Sequence, residues 1–215
     1  MVIDEPHGPP KASVVAGALI NPVNVNRCTM VADHQHYIAA ALETYRSMEE
    51  TLGISLLEAM QMFVFHKDET KRQLYNEKQL QLPAYIQQLA NAEITLTQQF
   101  FRNKYGIAKV GPVWKIHATQ LLSAWSSFLK NKGLLLQEQF NIAECGIRPE
   151  SVQYKTISAG KIIFCEGAAG MHNSFFKNLP FTKNRGEALL LSVPDLPAEY
   201  VYHYSIRLVP AAEGL

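Results

Sequence analysis

Two helices can be placed in this chain from residue spacing alone, and a glycine stops each of them. Tyr37, Ala41, Tyr45, Met48 and Leu52 recur at the intervals that bring side chains to one helical face, which predicts a helix from about Asp33. Gly53 stands where the left-handed residue after a helix belongs. Leu121, Leu122, Trp125, Phe128 and Leu129 repeat the pattern within 118–132, and Gly133 supplies the second stop. Around these helices lie β-prone runs at Met60–Phe65, at 107–117 with an interruption at Gly111-Pro112, and at 134–140. Further strands are predicted at Ser151–Ile157, Lys161–Cys165, Ala188–Val193 and Tyr200–Leu208. The charged segment 67–79 reads as a surface helix, and a short helix is expected over 84–91. Helices and strands interleave without regular alternation, so the predicted class is α+β, a mixed or antiparallel sheet with packed helices.

Charge and cysteine usage narrow the function classes. The 215 residues are 47% hydrophobic, enough for a substantial core, and 20 Lys plus Arg nearly balance 19 Asp plus Glu for a net charge of +1. That balance argues against nucleic-acid partners and anionic membranes, and the clusters 67–72 and 102–104 read as solvated faces. Cys28, Cys145 and Cys165 are odd in number and lack C-x-x-C spacing, which argues against a disulfide framework and a zinc site and points to a reducing, cytoplasmic compartment. His34 and His36 diverge around a helix and cannot share a metal; they read as exposed, and no metal is expected. No apolar run approaches the length of a membrane span, and neither a G-x-S-x-G elbow nor a Walker loop occurs.

The first residues carry a sharper signal. Met1-Val2-Ile3-Asp4-Glu5 reads as a strand ending in a carboxylate, the arrangement by which the second strand of a dinucleotide-binding βαβ unit takes ribose hydroxyls. The G-x-G-x-x-G turn that would precede it is absent from the sequence. A loop rich in Pro and Gly follows at 5–13, then the small-residue run Ser13-Val14-Val15-Ala16-Gly17-Ala18.

Three segments, in this order, resemble the FAD-dependent oxidoreductases of the D-amino-acid oxidase superfamily, which includes glycine and sarcosine oxidases. The first is Val2–Glu5 with the small-residue run 13–23. The second is the helix 118–132 with Gly133 and the strand 134–140. The third is Lys161-Ile162-Ile163-Phe164-Cys165-Glu166-Gly167-Ala168-Ala169-Gly170, and Asn184-Arg185-Gly186-Glu187 extends the match. The resemblance implies cofactor contacts from Asp4, Glu5, Ser13, Ala16, Gly17, Phe140, Gly167 and Ala168, with Phe140 near the adenine and Arg185 facing a substrate carboxylate. Glu166 would sit near the phosphates and fits only if it turns away or bonds a hydroxyl. Gly146-Ile147-Arg148-Pro149 resembles the family's substrate-arginine element but stands in the wrong order, and reads as a turn between strands.

The implied function is oxidation of an amine or amino acid at its C–N bond by hydride transfer to FAD, with no catalytic residue assigned. The implied organisation is a partial FAD-binding region with its following helix at 1–52, a helical part of the substrate domain at 53–132, a return to the FAD-binding region at 133–175, and substrate-domain strands at 176–215. On this reading the chain is a fragment, mainly a substrate-binding domain with remnants of the FAD-binding domain. Alone it is expected to be inactive, to retain FAD weakly or not at all, and to self-associate through uncovered apolar surface. The alternative is a complete, non-catalytic α+β module that binds a small molecule or a protein.

Overall fold

The computed structural model describes residues 1–5, 12–182, 184 and 186–211. In chain order the first elements are β1 (Val2–Ile3), β2 (Leu19–Ile20), β3 (Val23–Asn24), β4 (Thr29–Met30), α1 (His34–Leu52), β5 (Leu57–Phe65) and α2 (Glu69–Gln81). β6 (Ile86–Gln88), α3 (Asn91–Phe100), β7 (Ile107–Ile116), α4 (Ala118–Asn131) and β8 (Leu135–Leu136) follow. The last are β9 (Cys145–Arg148), β10 (Ser151–Tyr154), β11 (Ile157–Ala159), β12 (Tyr200–His203) and β13 (Arg207–Leu208). The chain is α+β, as expected. It divides into two compact units, Met1–Gly8 with Gly133–Leu189, and Pro9–Lys132 with Leu190–Leu215.

The larger unit is built on a six-stranded mixed sheet of order β13-β12-β5-β7-β2, with β6 also pairing to β7. β5 pairs antiparallel with β7 and parallel with β12, and is buried on both faces. Met60, Met62 and Val64 enter one apolar cluster with Val110, Val113 and Val201, while Phe63 and Phe65 enter a second with Tyr202 and Leu89. This double burial explains the apolar run Met62-Phe63-Val64-Phe65, which could not alternate with polar residues.

Gly111-Pro112 does not interrupt β7, contrary to expectation. The register changes from Met60↔Val113 to Met62↔Val110, so β7 carries one extra residue there. A bulge accepts proline, which has no N–H to donate, and its extra residue reverses the facing of the strand. Val110 and Val113, an odd number apart, therefore share one core. The Gly111 N–H donates to the Tyr85 carbonyl at 3.0 Å.

That edge also corrects the helix expected over 84–91. Ile86 pairs with Val110 and is buried, so these residues form β6, and the helix comes later as α3. Local helix propensity is worth tenths of a kcal/mol per residue, less than pairing a strand and burying an isoleucine. The other helices fall close to where spacing put them. The N–H of Gly53, which is in the left-handed conformation, donates to the Glu49 carbonyl at 2.8 Å. The Glu49 carboxylate accepts from the N–H groups of Leu56 and Leu57 at 2.6 and 3.0 Å, tying the end of α1 to the start of β5. Asp68 caps α2 by accepting from the Lys71 N–H at 2.7 Å. On α1, Ala41, Tyr45, Met48 and Leu52 are half-buried, but Tyr37 is exposed. His34 is also less exposed than expected, since its Nε2 lies 3.0 Å from the Tyr85 hydroxyl.

In the smaller unit β9, β10 and β11 form an antiparallel meander, and β1 pairs parallel with β8. The turn expected at 146–149 is shifted: 146–148 belong to β9, and the tight hairpin turns at Pro149-Glu150, where Arg148 pairs with Ser151. Two expected strands are absent, since 161–165 and 188–193 make no ladder among the described residues. Ile162 and Phe164 still face inward while Ile163 is 84% exposed, a strand-like alternation with no neighbour to pair.

Phe63 is fully buried, and its ring stacks on Tyr200 at 4.4 Å. Phe63→Ala should cost about 3–5 kcal/mol in urea unfolding, whereas Leu80→Ala, on the exposed face of α2, should stay within about 0.5 kcal/mol.

Candidate functional site

The parallel pair β1/β8 sets the geometry of the candidate site in the smaller unit. Val2↔Leu135 and Ile3↔Leu136 are in register, so the carboxyl ends of both strands lie side by side. Asp4 follows β1 directly, and its N–H donates to the Leu136 carbonyl at 3.0 Å. Ligands of parallel sheets bind at this carboxyl edge. Glu138, just beyond β8, is already engaged: it accepts from the Tyr154 hydroxyl at 2.7 Å and from the Lys155 ammonium at 2.8 and 2.9 Å. The Lys155 hydrogen bond holds the Glu138 carboxyl below the usual carboxylate range. Asp4 and the exposed Glu5 are the other acids that this edge presents.

Phe140 and the 161–170 segment meet through aromatic contacts. The Phe140 ring lies 4.7 Å from Tyr154 and 5.8 Å from Phe164, and Phe164 in turn packs on Phe175 and Phe176. Glu166 turns toward its own chain, its carboxylate accepting from the Asn173 amide at 2.7 Å. Gly167 begins a 3-10 turn through His172 and has a φ of 56°, a left-handed backbone that favours glycine. Ala168 is exposed on that turn.

Ser13, Ala16 and Gly17 belong to the larger unit and are exposed. A Cβ on Gly17 would lie 3.2 Å from the Val209 side chain, so packing within that unit already accounts for a small residue there. Arg185 lies outside the described residues.

Sequence reasoning missed a cavity in the larger unit and took its cations for a solvated face. The cavity is about 410 Å³, walled by Phe65, Phe101, Tyr202 and Leu208. Lys67, Arg102 and Lys104 stand at its rim, and His66 also lines it. The run Phe100-Phe101-Arg102-Asn103-Lys104-Tyr105, with aromatics beside cations, was the available signal.

His66 and His203 are both buried, each with an Nδ1 that has no hydrogen-bond partner in the protein. His203 pairs with Val64, and His66 follows two residues beyond, so both project from one sheet face. The His66 ring lies 4.9 Å from Tyr75, whose hydroxyl donates to the Val25 carbonyl at 2.9 Å. Burial, then Lys71 and Arg72, lowers His66 from 6.5 to about 4; burial, then Arg207 and Lys71, lowers His203. Among the described residues no group of three or more His, Cys, Asp or Glu could hold a metal, and no helix is long and apolar enough to cross a membrane.

No protein-family profile matches the sequence. Among solved structures the chain is similar to L-amino acid deaminase from Proteus vulgaris, with a TM-score of 0.46 and 10% identity over 70% of this chain. The match covers 36% of that protein, so the chain spans about a third of its length, and a likeness this slight carries no argument about function.

The buried histidines make stability acid-sensitive. Because the folded pKa is depressed, the unfolded chain binds more protons between about pH 4 and 6.5, so stability is full above 6.5 and falls as the pH drops through that window. At about 1.4 kcal/mol per pKa unit, His66 alone accounts for a loss on the order of 3 kcal/mol by pH 4. Urea unfolding from pH 7 to 4 should show this slope, and His66→Phe should flatten it.

Proposed function

We infer that the chain is part of an FAD-dependent oxidoreductase that oxidises an amine or amino acid at its C–N bond. The observation that carries this reading is the parallel β1/β8 pair, with Asp4 at its carboxyl edge. Residues 2–4 and 134–136, distant in sequence, form the adjacent parallel strands that a dinucleotide site requires. The contact between Phe140 and Phe164 adds the third resembling segment to the same unit.

The chain's own groups fit part of the cofactor. Asp4 would accept from ribose hydroxyls, with Glu5 beside it, and Phe140 would pack near the adenine. Gly167 and Ala168 keep their turn free of bulk, while the Glu166 carboxylate is turned back onto the Asn173 amide of its own chain. Ser13, Ala16 and Gly17, in the larger unit, and Arg185, outside the described residues, enter this reading through the sequence resemblance alone. The sequence contains no G-x-G-x-x-G turn to hold the pyrophosphate. FAD, when bound, supplies the hydride acceptor. The reading includes a cytoplasmic, fragmentary chain with weak flavin retention and no oxidase activity of its own.

A second reading, a non-catalytic small-molecule-binding module, is favoured by the cavity of the larger unit, which is complete within that unit.

Flavin fluorescence titration should show no flavin surviving gel filtration, and amino acids should yield no hydrogen peroxide. Stoichiometric flavin with turnover sinks the fragment reading. The reading frame around the encoding segment should contain a G-x-G-x-x-G turn upstream. In the protein extended by that segment, Asp4→Asn should weaken FAD binding about tenfold or more, and an unchanged affinity removes Asp4 from the ribose. Self-association follows from the exposed run Leu189, Leu190 and Leu191 and should appear as a concentration-dependent mass in light scattering.

A further inference from the structure

The cavity of the larger unit has an apolar interior and a rim of one sign. Phe101 is its central wall, 4.8 Å from the Phe65 ring and 5.0 Å from Tyr202. The Tyr202 hydroxyl donates to the Pro197 carbonyl at 3.0 Å, so its polar end is satisfied, and its buried ring backs Phe101 from within the core. Among the described residues no carboxylate lines the cavity. Lys67 reaches Asp68 at 4.0 Å, but among the described residues Arg102 and Lys104 have no carboxylate within ion-pair distance. The side chain of Asn103 is held by the Gly106 N–H, which folds the 101–106 segment so that both cations reach the mouth.

From this juxtaposition we propose that the cavity binds a small organic anion, a carboxylate carried on a flat aromatic body. A volume of about 410 Å³ falls within the range of small-molecule sites. The ring would lie against Phe101 and the exposed Tyr204 and Ile206, where offset aromatic contacts add to burial. The carboxylate would accept from Arg102, whose planar fork donates bidentately, with Lys104 as a second charge. Since the described lining offers no acid for an ammonium group, the site discriminates against zwitterions such as amino acids. It is therefore distinct in chemistry from an amino-acid substrate site, and the proposal holds or fails independently of the flavin reading.

Titration calorimetry with 3-phenylpropionate as the probe tests this. Saturable one-to-one binding is expected below about 10 mM, with 3-phenylpropanamide and phenylalanine each weaker by about tenfold or more. Arg102→Gln with Lys104→Gln should weaken the acid by a similar factor and leave the amide unchanged. Both positions are exposed, so the variant should keep the wild-type melting temperature. Raising the salt concentration should weaken the acid and not the amide. Absence of saturable binding by the wild-type chain, or equal affinity for acid, amide and zwitterion, overturns the proposal. Retention of full acid affinity in the folded double variant overturns it as well.

Discussion

Between Met60 and Met62, β7 advances three residues while β5 advances two, and the sheet of the larger unit depends on that extra residue. Without it, Val110 and Val113 would face opposite sides, because a strand changes face at every step. With it, both join the cluster that also takes Met60, Met62 and Val201. Pro112 is compatible with a central strand only at such a bulge. β12 then adds in parallel on the other edge of β5, bringing Tyr202 against Phe63 and His203 beside Val64.

The polar groups of this sheet are treated in two ways. Lys115, although buried, stands opposite Glu58 with its ammonium 3.3 Å from the carboxylate, and His117 approaches the same carboxylate at 3.4 Å. His66 and His203 keep unpartnered ring nitrogens in apolar surroundings. A buried imidazole lacking a partner favours its neutral form, because desolvation penalises the cation most. The neighbouring lysine and arginine charges act in the same direction. One sheet thus places paired charges toward one end of β5 and neutral, acid-sensitive rings near the other.

Much of the fold was legible because its signals are local. The helices at His34–Leu52 and Ala118–Asn131 follow from apolar spacing and their glycine stops, and Met60–Phe65 was readable as a strand from its β-prone side chains. The misreadings share a cause. β6 has no strong local signature and exists because Val110 offers a partner, whereas 161–165 and 188–193 have suitable residues and no partner among the described ones. A strand is a property of a pair, so one sequence segment does not determine it. For the candidate site, the acidic end of β1 was readable, but its adjacency to Leu135-Leu136 was not, since more than a hundred residues separate them. Residues 102–104 read as a solvated face because charge dominates that run locally. Their aromatic neighbours Phe65 and Tyr202 arrive from other strands.

The sequence by itself determined the α+β class, the two glycine-stopped helices, and a carboxylate at the end of the first strand. Each depends on interactions spanning a few residues, such as side-chain periodicity, the left-handed backbone of Gly53, and the succession of apolar and acidic residues. The tertiary structure alone decided which strands exist, how the bulge at Gly111-Pro112 restores the core, and that Arg102 and Lys104 stand over an aromatic cavity. Those outcomes depend on pairing and burial between distant segments, whose free energy arises only when the partners meet.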